Sequence, residues 1–205
     1  MLFYYKGNLP LGLIPFNLRH VSRMLSIFLF VLSTYTGVTQ PISTDVPVAL
    51  TVTRSVSVPL NTLQLFDKAM ESYKWTFGKE PGAQLIRSDR ESGIIEAIAR
   101  VNFRSDQLSM REESMGVIGY KILINTHAGE CTVLVTEFIH KGNHGTNRAA
   151  IDLGLLTIST APIDPPIRMA HSNLVKLYSN AKESANDRVL KVMQDFCSRI
   201  RVGNE

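Results

Sequence analysis

Cysteine is scarce in this chain of 205 residues: two, Cys131 and Cys197. That excludes a disulfide-dense scaffold. Glycine (13) and proline (9) are too few for a collagen-like chain. Charged residues make up only 20% against 44% hydrophobic, which excludes a purely coiled-coil chain and wholesale disorder. The short motifs of common chemistries are missing too. No G-x-S-x-G, H-E-x-x-H, G-x-G-x-x-G, Walker A or C-x-x-C pattern occurs. What remains is enough apolar material, over enough length, for one domain with appendages.

The net charge of +4 suggests nucleic acid until the charge is located. Residues 1–39 hold Lys6, Arg19 and Arg23 and no acidic residue. Removing those three from 22 basic residues leaves 19 against 18 acidic, a net charge of +1. A near-neutral remainder has no electrostatic footprint for a phosphate backbone, so no nucleic-acid partner is expected. The same segment has the parts of a secretory leader: Arg19, His20 and Arg23, then an apolar run over 24–32, then small and polar residues to Gln40-Pro41. The run falls short of the ~20 residues that span a bilayer. Met24 is an alternative start, which would cost the leader its arginines. Export to a periplasmic or extracellular address is expected, with cleavage between Gly37 and Gln40, the site before Gln40 favoured, and no membrane span thereafter. Residues 40–47 read as a linker.

From residue 48 to 203 the pattern is that of a single α+β domain. A β-branched strand over 48–58 ends at Pro59. Asn61 caps a helix over 62–76, whose Leu63, Phe66, Met70 and Tyr73 recur at helical spacing. Strands over 83–88 and 94–103 flank a polar turn. In the second, Ile95, Ala97, Ala99, Val101 and Phe103 share a face opposite Glu96, Arg100 and Asn102. Strands over 117–126 and 131–140 flank His127-Ala128-Gly129-Glu130. A helix over 173–201 carries Leu174, Tyr178, Ala181, Ala185, Val189, Val192, Phe196 and Ile200 at intervals of three or four. The order β-α-β-β-β-β-α implies an antiparallel sheet of about five strands with two helices on one face. The stretch 143–170 takes no assignment beyond a possible short strand within 153–158.

The helix at 61–76, Ser92-Gly93-Ile94-Ile95, Gly119-Tyr120-Lys121-Ile122, Thr136-Glu137-Phe138-Ile139-His140 and the last amphipathic helix together carry a family resemblance. They resemble uncharacterised secreted proteins, mostly from Bacteroidetes, grouped as a domain of unknown function. The resemblance implies a two-layer TBP-like fold and supplies no catalytic residue. A DNA-binding role does not travel with a fold's name.

Candidate chemistry is thin, and no catalytic residue, metal ligand or cofactor is expected. His140 and His144 stand four apart, but Gly142 and Gly145 make a helix there unfavourable, so both read as exposed strand-end or loop histidines. His127 and His171 read likewise. Glu112-Glu113 and the Asp89/Glu91 pair sit on solvated loops, which lack the unlike environments a catalytic pair needs. Tyr73, Trp75 and Phe77 read as core before ligand pocket. Cys131 and Cys197 form either a disulfide, suited to an exported chain, or two small buried hydrophobes.

One pattern is anomalous. The strand over 131–140 has Val133, Val135 and Ile139 on one face but Leu134 and Phe138 on the other; that over 117–126 opposes Tyr120, Ile122 and Ile124 with Val117 and Leu123. A one-sided sheet should alternate apolar with polar. Leu134 and Phe138 therefore mark a candidate contact face, covered by residues 143–170, another subunit or a ligand. The expectation is an exported, non-enzymatic interaction domain, through self-association or an unknown protein partner. The alternative is a carrier holding a small hydrophobic ligand between sheet and last helix.

Overall fold

Runs of alternating β-branched and polar residues pair into one antiparallel sheet in the computed structural model, which describes residues 47–108, 112–145, 149–166 and 169–202. The leader over 1–39 and nearly all of the linker over 40–47 lie outside the described residues. In chain order come β1 (Val52–Ser57), α1 (Thr62–Trp75), β2 (Gln84–Asp89), β3 (Ile94–Phe103), β4 (Gly116–His127), β5 (Glu130–Gly142), β6 (Gly154–Leu155) and α2 (His171–Arg201). The sheet order is β1-β5-β4-β3-β2, with β6 pairing the far end of β5. The fold is the α+β two-layer arrangement expected, with one two-residue strand more.

Local chemistry starts α1 cleanly. Asn61 Oδ1 accepts from the Gln64 backbone N–H at 2.9 Å, and the Gln64 side chain accepts from the Asn61 N–H at 3.3 Å, a reciprocal capping box. Leu65, Phe66, Ala69 and Tyr73 form its buried stripe. In α2, 31 residues give a length of about 46 Å, so the helix is long relative to the sheet's width. Its buried stripe runs from Leu174 to Ile200 through Ala181 and Ala185, whose small side chains let the helix lie close to its neighbours. Both helices share one core with Ile95, Ala97, Ile122, Ile124, Val133 and Val135 from the strands. Among the described residues no helix is long and apolar enough to cross a membrane.

Pairing of β4 with β5 contains the irregularity that decides which residues face the core. Gly119 is opposite Ile139 and Lys121 opposite Thr136. Only Tyr120 lies between these two pairs on β4, whereas Glu137 and Phe138 lie between them on β5. This is a β-bulge, with Glu137 at φ 55°. Before it Cys131, Val133 and Val135 point into the core; after it Phe138 and His140 do.

Of residues 143–170, unassigned from sequence, the described part over 154–157 runs along the edge of β5 beyond β1. Leu156 N donates to Phe138 O at 2.7 Å, Leu50 N to Leu156 O at 2.9 Å, and Thr157 N to the Tyr178 hydroxyl at 2.6 Å. Ile151, Leu153 and Leu156 are buried in the core shared with the helices. The segment therefore thickens the helix side. It leaves Ile98 and Ile139 of the opposite face in the open, at 40% and 39% exposure.

Candidate functional site

The face turned away from the helices is built in rungs fixed by strand register. Ile98 of β3, Lys121 of β4 and Thr136 of β5 make one; Arg100, Gly119 and Ile139 the next; Asn102, Val117 and Lys141 the third. Gly119 contributes no side chain, and a Cβ there would meet only Ile139 O, 4.0 Å away. The missing side chain leaves a notch in the middle of the sheet. Around it lies a depression of about 370 Å³ lined by Ile98, Arg100, Val117, Gly119, Ile139 and Lys141 among others. A second, of about 460 Å³, continues past the strand ends along Asn102, Arg104, Met115, Val117, Lys141 and Asn143. Val117 and Lys141 line both, so the two adjoin.

Charge on this face is uneven. Lys121 Nζ lies 2.5 Å from Glu96 Oε1, and that hydrogen bond raises the lysine's pKa. Arg100, Arg104 and Lys141 form no ion pair with a described residue, and among the described residues Glu137 is the one acid lining either depression.

The sequence-derived contact pair splits. Leu134 does lie on the outer face, half-buried, between Leu123 of β4 and Thr53 of β1. Phe138 does not: the bulge at Glu137 turns it into the core, fully buried, with its ring 5.8 Å from that of Tyr120. Ile139 takes its place outside. In the sequence Val133, Val135 and Ile139 keep one parity and Leu134 and Phe138 the other, so the two apolar faces were visible but the inserted residue was not. Ile98 and Gly119 left no comparable mark.

Of the histidines, His140 corrects the expectation of exposure. It is fully buried, its ring edge-on to Phe103 at 5.3 Å, with Nδ1 accepting weakly from Leu153 N at 3.4 Å and Nε2 unpartnered. Burial drives its pKa down to about 4, against a small opposing pull from Asp152. A Cβ at Gly116 would lie 3.0 Å from that Nε2 and 2.2 Å from Lys141 O, so glycine is required there. His144 is exposed and pairs with Asp152 at 3.0 Å. His127 and His171 are exposed as expected.

Both cysteines are free and buried, with no bridge between them. Cys131 faces the core opposite Val56 and Cys197 comes from α2. Burial, with a contribution from Cys197, pushes the Cys131 thiol up to about 12, so it is protonated and inert at neutral pH. Tyr73 and Phe77 are core, but Trp75 is 53% exposed, under the Lys79 ammonium at 4.2 Å. Asp89 is pulled down to about 2, first by the Ser92 backbone N–H and then by Arg87. Among described residues no group of three or more His, Cys, Asp or Glu is placed to hold a metal.

One half-buried ion pair left no trace in the sequence pattern. Glu80, 7% exposed, accepts both arms of Arg188 at 2.7 and 3.0 Å, tying the turn after α1 to α2. The buried Tyr120 hydroxyl has no hydrogen-bond partner among the described residues, and desolvation raises its pKa strongly. Residues 108 apart in sequence give no local pattern from which to infer their pairing.

No protein-family model and no curated protein matches the chain. Among solved structures it is similar to a DUF4468 family protein from Bacteroides ovatus, at 17% identity and TM-score 0.48 over 72% of this chain and 86% of that one. A TBP-like protein from Parabacteroides distasonis is similar at 11% identity and TM-score 0.47, over 72% and 92%. The structure of Ara h 8.0201 follows at 9% and 0.34, over 74% and 97%. The first two are of the kind the family resemblance anticipates.

Proposed function

We propose that this chain is an exported, non-enzymatic binding domain whose outer sheet face is its contact surface. The carrying observation is the open depression around Gly119, with Ile98 and Ile139 standing in solvent at its sides. Aliphatic side chains exposed together on a sheet face favour burial against a partner. The depression is open and shallow enough to leave both isoleucines about two-fifths exposed, which favours surface recognition over enclosure of a ligand. The groups with shifted titration are held by burial or by pairing, which supports a non-enzymatic role. His140 is sealed under Gly116, while Glu80 is neutralised by Arg188. Export rests on the leader over residues 1–39.

The test is the double variant Ile98→Glu/Ile139→Glu, challenged with peptides selected on the wild-type protein from a displayed random pool. Both sites are exposed, so unfolding free energy should change by no more than about 1 kcal/mol. Binding of the selected peptides should be lost. Retained binding in a folded double variant overturns the reading.

A further inference from the structure

The two adjoining depressions form one groove along β4, and its geometry suits a particular occupant. Gly119 and Val117 make its floor; Ile98, Arg100 and Asn102 of β3 line one wall, Ile139 and Lys141 of β5 the other. From Ile98 to Arg104 β3 and the residue after it advance six positions, about 20 Å at ~3.3 Å each. The walls are separated by two strand spacings, about 10 Å. Those dimensions match an extended chain of about six residues. They do not match a small ligand, which needs a concave site enclosing most of its surface; here Ile98 and Ile139 stay about two-fifths exposed.

The charge gives the occupant a polarity. At the Ile98 end, Lys121 is engaged by Glu96, and Glu137 is nearby. At the other end, Arg104 and Lys141 line the groove with no carboxylate among the described lining residues, and the amide of Asn102 stands on the same wall as Arg104. Arg100 continues the positive side back to Gly119. No helix terminus lines either depression, so no macrodipole offsets these cations.

We infer that the groove takes an extended acidic segment of a partner protein. An apolar side chain of that segment sits in the Gly119 notch between Ile98 and Ile139, and carboxylates follow it against Lys141 and Arg104. This rests on the outer face being the contact surface and adds the chemistry of what it contacts.

The probe is a random heptapeptide library displayed on phage and selected on the full mature chain. Selected peptides should carry an aliphatic residue followed within about three positions by Asp or Glu. They should bind the folded variant Arg104→Glu/Lys141→Glu at least about tenfold more weakly, and should weaken as salt rises past the concentration where the Debye length falls below ~10 Å. Peptides without acidic enrichment, lost on Ile98→Glu/Ile139→Glu but indifferent to the charge reversal, would overturn the acidic partner and leave the contact surface standing. No binders, or binders indifferent to both variants, would overturn both.

Discussion

His140 is the residue at which acid should act on this fold. Its imidazole is held neutral by burial, with a pKa of about 4 against an ordinary value near 6.5. Between those values the unfolded chain binds a proton that the native protein does not, so stability falls as pH drops through that window and is complete above it. The whole shift corresponds to roughly 3 kcal/mol. The variant His140→Gln keeps an acceptor and removes the titration, so its urea-unfolding free energy should fall less than wild type's between pH 7 and pH 4, by about that amount. Identical losses in both proteins would show that His140 is not the titrating group. Nothing in the sequence announced this burial. A histidine beside Lys141 and Gly142 looks like a strand end, and the residues that close over it, Phe103 and Leu153, come from elsewhere in the chain. The cysteines show the same limit: two positions 66 apart carry no information on whether their sulfurs meet.

At the scale of elements, periodicity decided most of what could be read. The alternation in β3 and the three-four spacing in α2 follow from burying one face, so both elements stand where the sequence places them. The bulge in β5 breaks that rule for a local reason, and its parity change is legible only once a bulge is admitted. Residues 143–170 were illegible because Ile151, Leu153 and Leu156 are buried from an irregular path along a sheet edge, which imposes no period. Glu137 is the pivot. Its φ of 55° disfavours a β-branched side chain, so Glu137→Val should destabilise by about 1–3 kcal/mol, whereas Glu137→Gly should be neutral or stabilising. Chemical denaturation of the two variants checks this. Equal stability of the Val and Gly proteins would mean that the bulge is not conformationally demanding. A bulge that relaxed away would also return Phe138 to the outer face and bury Ile139, exchanging a contact residue for a core one.

At the scale of the whole molecule, the helices together with Ile151, Leu153 and Leu156 crowd one side of the sheet, while the other keeps a groove with an aliphatic middle and a cationic end. The pattern of two-sided apolar strands identified that outer face, but not the groove, because Gly119, Arg100 and Lys141 become neighbours only through strand register. The central claim is that this face meets another protein. Its most direct test places a photo-crosslinking amino acid at position 139, with position 187 on the solvent side of α2 as control, in cells that make the protein. A discrete protein adduct at 139, absent at 187 and abolished by Ile98→Glu, is the predicted result. Adducts at 187 alone, or at neither position, would contradict it.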